Sequence, residues 1–323
     1  MISEINRRSF LSKSIITAAT VAGASVWTSR PILAAAKKKR AMTIDLVCGA
    51  IGVRANQKQA IAYAHAHGFE SVQPAANELA GFSKQELSEL QAEMKEKGIV
   101  WGASGLSVDF RKDEQAFQKG LKTLPKLAAG LQRAGATRVG TWLMPNSDEL
   151  TYVRNFRQHA SRLRSIAGVL GDHGLRFGLE YVGPKTSWTA KKHSFVHSMA
   201  EGKDLIAEIN QPNMGFVLDS WHWYTAGETV EDLKTLTNKD IVAVDLNDAP
   251  AGIAIDEQMD LVRELPAATG VIDVSAFLKT LNEIGYDGPV RAEPFNAALR
   301  KLAPEKAVAA TATAMKKAFQ AIN

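Results

Sequence analysis

The sequence predicts an α/β fold, a (β/α)8 barrel in a single domain, and three observations carry that expectation. Short β-rich runs alternate with longer helical patterns to the end of the chain, with no linker or low-complexity break. Several helical patterns stop at a glycine just before the next apolar run, as at Gly68, Gly98, Gly135, Gly174 and Gly285. Eight such units can be counted, which fits a closed barrel; a doubly wound open sheet is the competing arrangement.

The eight strand candidates are residues 44–52, 69–74, 100–106, 138–143, 176–181, 215–218, 241–246 and 290–293. Between them, residues 83–97 place Leu87, Leu90 and Met94 at helical spacing, and residues 150–172 place Phe156, Leu163 and Ile166 on one stripe. Each stripe is the face a helix buries against a sheet. Parallel strands need a crossover between every pair, and the helix-glycine-strand rhythm supplies it. The first strand is not followed by GxGxxG: Cys48-Gly49-Ala50-Ile51-Gly52-Val53 has other spacing, which removes the main support for dinucleotide binding.

The chain has 323 residues, 46% apolar and 23% charged, a globular composition that one barrel can use almost entirely. Cys48 is its one cysteine, so a disulfide framework or a thiolate zinc cluster cannot be built within the chain. The formal charge is +5, but the first 36 residues hold Arg7, Arg8, Lys13 and Arg30 against Glu4, and without them the balance falls to +2. Lys37, Lys38, Lys39 and Arg40 carry four of the remaining positive charges, so the body shows no electrostatic footprint for nucleic acid.

Residues 1–36 read as a twin-arginine signal peptide. Asn6-Arg7-Arg8-Ser9-Phe10-Leu11 precedes an apolar small-residue run over 15–27, and Ala34-Ala35-Ala36 offers a cleavage site. An amphipathic helix or membrane anchor is the alternative, although the apolar run is short for a span. The expectation is export through the twin-arginine translocon to the periplasm or beyond, without a stable membrane anchor, leaving a barrel over 37–323. That route carries folded proteins, so a metal could be inserted before export and a weak binder such as Mn2+ trapped ahead of Zn2+.

In a parallel barrel the functional side chains come from the C-terminal ends of the strands. Four late strands end in or near carboxylates: Glu180, Asp219, Asp245 and Glu293. One acid at a strand end is commonly salt-bridged or solvated. Four converging on one barrel mouth would repel strongly, and a divalent cation relieves both that repulsion and the cost of burial. His222, three residues after Asp219, reads either as a packed histidine or as a group that curls back over the mouth. Trp142, Trp188, Trp221 and Trp223 fall near strand ends or in the following loops, where tryptophan faces can line a polyol site or simply pack.

Leu179-Glu180-Tyr181 with Gly183-Pro184-Lys185-Thr186, Leu218-Asp219-Ser220-Trp221-His222, Asp245-Leu246-Asn247-Asp248-Ala249-Pro250, Arg263-Glu264-Leu265-Pro266 with Thr269-Gly270-Val271-Ile272-Asp273, and Gly285-Tyr286-Asp287-Gly288-Pro289 with Glu293-Pro294-Phe295 resemble the xylose-isomerase-like sugar isomerase/epimerase barrels. The resemblance covers nearly all of residues 37–323 and is specific in the second half. It implies one divalent metal held by Glu180, Asp219, Glu293 and the residue at 245, where the family has histidine and this chain has aspartate. That departure would shift the preference toward Mn2+ or Mg2+, with Zn2+ or Co2+ as further candidates. It also implies substrate binding by His222 and Arg263, with Lys185 and Trp142 as further substrate-binding candidates.

The reaction implied is isomerisation or epimerisation of a keto sugar through an enediolate at the metal. Glu180 and Glu293 would be the proton-transferring residues on opposite faces of the sugar. The same enediolate could expel a β leaving group, so a lyase acting on a 3-keto glycoside is chemically adjacent. A sugar-binding barrel without turnover is the second rival. A metal-dependent endonuclease would need more metal-binding histidines, yet His65, His67, His159 and His173 fall on expected helices or their ends. A small sugar is the expected partner, nucleic acid is not, and oligomerisation is left open.

Overall fold

A computed structural model describes residues 40–323 of the chain. The expected signal peptide at 1–36 and the basic residues Lys37, Lys38 and Lys39 lie outside the described residues. None of the described helices is long and apolar enough to cross a membrane.

The strands are Thr43–Leu46, Ser71–Val72, Val100–Trp101 with Ser104–Gly105, Arg138–Trp142, Arg176–Glu180, Met214–Asp219, Ile241–Leu246 and Pro289–Ala292. Every pairing between them is parallel, and the pairings run from Val100–Trp101 through the first strand, then back through the eighth, seventh, sixth, fifth and fourth to Ser104–Gly105. The two ends of that order are adjacent pieces of one segment, separated by Gly102 and Ala103. The sheet therefore curls around on itself, giving the expected (β/α)8 barrel as one domain.

Two expected strands differ. The run over 44–52 leaves the sheet at Leu46, and Cys48–Ile51 forms a 3-10 turn closed by Gly52 at φ 78°. The run over 100–106 is broken at Gly102, where an added Cβ would lie 2.3 Å from an oxygen of the buried Asp45. The break thus makes room for an acid inside the ring.

The helices follow the sequence signals closely. Ser83 and Glu86 form a capping box that opens Lys84–Lys97, whose buried face is Leu87, Leu90 and Met94. Tyr152–Asp172 buries Leu163 and Ile166, while Phe156 is half-buried against the same core. The strands Met214–Asp219 and Ile241–Leu246 are buried along their whole length, as a sheet covered by helices outside and closed inside requires.

Beneath the mouth the ring is filled by small side chains. Ala103, Val217 and Ala243 form a cluster of their own, apart from the core between sheet and helices. Gly140 and Gly178 adjoin it, and a Cβ at either would come within 2.9 Å of the Val217 side chain. This tight plug leaves the charged residues above it facing an open cavity.

Candidate metal and substrate site

The candidate site stands on the alternation of strand side chains. Successive residues point to opposite faces, so Glu180 shares its face with Gly178, Asp219 with Val217, Asp245 with Ala243, and Glu293 with Arg291. Pairing brings these faces to matching heights, with Asp219 opposite Asp245, Asp245 opposite Arg291, and Trp142 opposite Glu180. As a result Glu180, Asp219, Asp245 and Glu293 each offer an oxygen to one group whose atoms all lie within 4.8 Å of one another. The sequence-predicted metal residues are thus brought together.

Two arginines sit among these acids. Arg263, 2% exposed, places Nη1 2.7 Å from Asp219 Oδ2 and 3.6 Å from Glu293 Oε2. Arg291 donates from Nε and Nη2 to the two oxygens of Asp245 and lies 3.7 Å from Glu293 Oε1. With all four acids ionised, two guanidinium groups leave two negative charges, and Asp260, 2.8 Å from Arg263 Nη2, adds a third. A divalent cation opposes that deficit.

The fit is also visible in individual oxygens. Glu180 Oε1 is buried with no hydrogen-bond partner, an expensive state for a carboxylate that a cation would relieve. Burial pushes Glu180 well above the usual carboxylate range, and the charges of Asp245, Glu293 and Asp219 push it further. Burial raises Glu293 to about 7, with Asp245 adding and the two arginines opposing. Burial likewise raises Asp219 to about 6 against the pull of Arg263.

Asp219 also caps the helix Ser220–Thr225, accepting from Trp221 N at 2.8 Å, and accepts from Asn247 Nδ2 at 2.9 Å. Asn247 in turn accepts from Glu293 N at 3.0 Å, so one side chain ties two candidate ligands together. Asp248 organises the loop that follows. Its oxygens accept from Ala249, Thr269, Gly270 and Ile272 N, and its backbone pairs with Glu264, next to Arg263.

His222 is fully buried on that short helix. Its Nδ1 faces the Gly183 N–H at 3.1 Å, and its Nε2 lies 3.3 Å from Nη2 of Arg263. Nε2 lies 3.8 Å from both Glu180 Oε1 and Asp219 Oδ2, facing the acids. Burial lowers its pKa to about 3, with Arg263 adding to the effect, so the ring is neutral at physiological pH.

The acids open into a cavity of about 800 Å3 lined by Glu180, Glu293, His222, Arg263, Arg291 and Trp142 among others. Lys185 is placed differently from the expectation. Its ammonium pairs with Asp256 at 2.5 Å on the exposed rim, and its neighbours Thr186 and Ser187 line the cavity instead. Trp188 stacks on His197 at 4.6 Å, while Trp221 and Trp223 are buried in the core.

Arg291, Asn247 and Asp45 had not been singled out from the sequence. A period-2 signal was available: Arg291 lies two residues before Glu293, and Asn247 two after Asp245, so each must share its neighbour's inward face. Asp45 lies below the cluster with Oδ1 unpartnered, and burial raises it to about 6.

A family model described as a xylose isomerase-like TIM barrel matches residues 61–318. The inosose isomerase of Bacillus subtilis strain 168 is 31% identical over 150 residues, 45% of this chain and 49% of that protein. The 3-dehydroshikimate dehydratase of Pseudomonas aeruginosa PAO1 is 31% identical over 150 residues, 46% of this chain and 22% of that protein. The chain therefore matches about half the length of the isomerase and less of the dehydratase. Among solved structures, a xylose isomerase domain protein from Alicyclobacillus acidocaldarius superposes with a TM-score of 0.76 and 31% identity, covering 87% of this chain and 99% of that one. The IolI protein with a bound zinc atom gives a TM-score of 0.70 at 21% identity, covering 87% and 98%. The matched span contains all four clustered acids together with His222, Arg263 and Arg291, and the chain belongs to the xylose isomerase-like TIM barrel family.

Proposed function

We propose that the protein is a divalent-metal-dependent isomerase or epimerase of a keto sugar or sugar derivative. The observation that carries this reading is the convergence of Glu180, Asp219, Asp245 and Glu293, from four consecutive strands, in one cluster of which Glu180 and Glu293 line the cavity. Glu180, Asp219 and Glu293 would hold the metal, with Asp245 reaching it only through whatever freedom Arg291 leaves. When bound, the ion supplies Lewis-acid polarisation of a carbonyl and so acidifies the neighbouring C–H. Mn2+ or Mg2+ suits an all-oxygen donor set, and the zinc of the IolI structure keeps Zn2+ a candidate.

The chain's own residues supply the rest. Glu180 and Glu293 are bases whose affinity for a proton is raised, by burial first and by the neighbouring acids after it. One removes the proton from the carbon beside the carbonyl and the other returns one. Return to the opposite face of that carbon gives an epimer, and return to the neighbouring carbon gives an isomer. His222 is a neutral ring facing the acids, placed to meet a substrate oxygen, and Arg263 is locked in place for the same task. Trp142 offers an apolar wall beside Glu180.

A second reading rests on the similarity to 3-dehydroshikimate dehydratase. Abstraction of the same proton, followed by loss of a β substituent, would make the site a lyase. Incubating the Mn2+-loaded protein with free keto sugars and 3-keto glycosides in D2O and following products by NMR separates these outcomes. Deuterium incorporation with an epimer or isomer supports the first reading, and an unsaturated product supports the second. Binding without incorporation would leave a non-catalytic sugar-binding barrel. We further propose that residues 1–36 direct export by the twin-arginine route, which a fusion of that segment to a reporter tests.

A further inference from the structure

Three guanidinium groups line the cavity, and two of them, Arg263 and Arg291, are bound to acids of the cluster. The third, Arg111, has no ion-pair partner among the described residues. Of the two acids nearest in sequence, Asp109 is held by Lys112 at 2.8 Å and Asp113 accepts from Ala116 N as a helix cap. Arg111 is nevertheless fixed: its guanidinium lies 4.6 Å from the Phe110 ring centre and 4.3 Å from that of Trp142. Nη1 is fully used, donating to Trp142 O at 2.6 Å and Thr141 Oγ1 at 3.1 Å. Nε and Nη2 have no acceptor among the described residues.

A rigid guanidinium with one edge spent and the other open is a fork suited to the two oxygens of a carboxylate. Its position ties it to the reaction centre, because Trp142 is the strand partner of Glu180. Burial also disfavours its charged form, with only Asp109 in opposition, so an anion that arrives there meets a cation short of compensation. A phosphate would call for more donors than one half-used guanidinium.

We propose that Arg111 anchors a carboxylate on the substrate, so that the cavity takes an acidic keto sugar rather than a neutral one. This rests on the keto-sugar reading of the same site and narrows it. D-fructose, D-fructuronate and D-fructose 6-phosphate make a matched set differing at the terminal carbon. Titration calorimetry of the full chain with added Mn2+ should show D-fructuronate binding about tenfold or more tighter than D-fructose. Arg111→Gln should bring the two within about twofold. Arg111→Lys, which keeps the charge without the fork, should retain part of the preference and guards against misfolding of the first variant, with melting curves checking both.

Equal affinity for the two sugars, no binding of either, a preference that survives Arg111→Gln, or tightest Arg111-dependent binding of the phosphate would each overturn the carboxylate assignment. Deuterium exchange on the same samples separates this from the activity itself. Exchange with D-fructose at equal affinity would sink the acidic substrate and leave the isomerase reading. Arg111-dependent binding of D-fructuronate without exchange, under every metal, would do the reverse.

Discussion

Arg291 grips Asp245 from the adjacent strand, Nε to one carboxylate oxygen and Nη2 to the other at 2.7 Å, with Asp245 fully buried and Arg291 half-buried on the cavity wall. Asp245 stands where the family resemblance places a neutral histidine, and the pair as a whole is also neutral. The added negative charge of the aspartate is therefore cancelled locally, and the cluster keeps a deficit that a single divalent ion opposes.

The first prediction follows from that cancellation. Arg291→Gln leaves Asp245 buried without its cation, and removing one partner of a buried pair costs about 3 kcal/mol. The metal-free variant should therefore melt well below the parent protein. It should also gain more from Mn2+, because Asp245 is released to share the ion. Melting temperatures with and without Mn2+ check this, and an equal metal-induced gain in both proteins would show that Asp245 takes no part in holding the ion.

Glu180→Gln should separate stability from function. The variant keeps the shape of a side chain that has a buried, unpartnered oxygen and removes its charge from a repulsive cluster. The metal-free protein should be unchanged or more stable, by about 1 kcal/mol, while proton exchange falls at least about 100-fold. Glu293→Gln should lose exchange to a similar degree. Denaturant melts alongside deuterium incorporation measure both quantities, and retained exchange in either variant removes that residue from proton transfer.

Much of this was legible in the sequence because barrel geometry converts strand ends into a ring. Glu180, Asp219, Asp245 and Glu293 each follow an apolar run, and once the runs are strands of one closed sheet their side chains must meet. Arg263 is brought in by a loop whose ordering depends on contacts such as Asp248 to the Thr269 and Gly270 amides, and His222 by a short helix capped by Asp219, which sequence spacing does not reveal. Lys185 shows the same limit from the other side. Its loop returns to the cavity, but one step of helical rotation sends its side chain to Asp256 at the rim. Arg111 carried no local signal at all, since its place depends on Trp142 at the end of the neighbouring strand.

The titration of the site predicts a pH dependence for the metal-free protein. Glu293 and Glu180 hold protons in the fold at pH values where the unfolded chain has lost them. Native protein then binds more protons, so unfolding free energy falls as pH rises through this window. His222 and His159, lowered to about 3 and about 4, oppose this only below their unfolded value of 6.5. From pH 6.5 to somewhat above 7 the carboxylates act alone, and stability should decline. Mn2+ should flatten the decline and bind more tightly as pH rises, with release of protons. Urea melts at pH 6.5 and 8 with and without the ion test this, and a metal-free protein more stable at pH 8 would contradict it.

Gly183 links the loop after the strand that ends in Glu180 to the helix that begins after Asp219. Its N–H faces His222 Nδ1 at 3.1 Å, and an added Cβ would lie 2.5 Å from His222 O, 2.8 Å from Thr225 Oγ1 and 3.0 Å from Ala226 N. Two of those contacts are backbone, so Gly183→Ala must displace the Ser220–Thr225 helix and with it the cap on Asp219. Overpacking of this kind costs about 1–3 kcal/mol. Gly130→Ala is the control: its Cβ would lie 2.6 Å from Ala80 Cα, in a helix that contributes nothing to the cavity. Both variants should lose stability to a similar extent. Only Gly183→Ala should lower exchange per folded molecule, since it alone disturbs the placement of His222 beside the acids. Equal exchange in the two variants, measured at a temperature where both are folded, would remove His222 positioning from the mechanism.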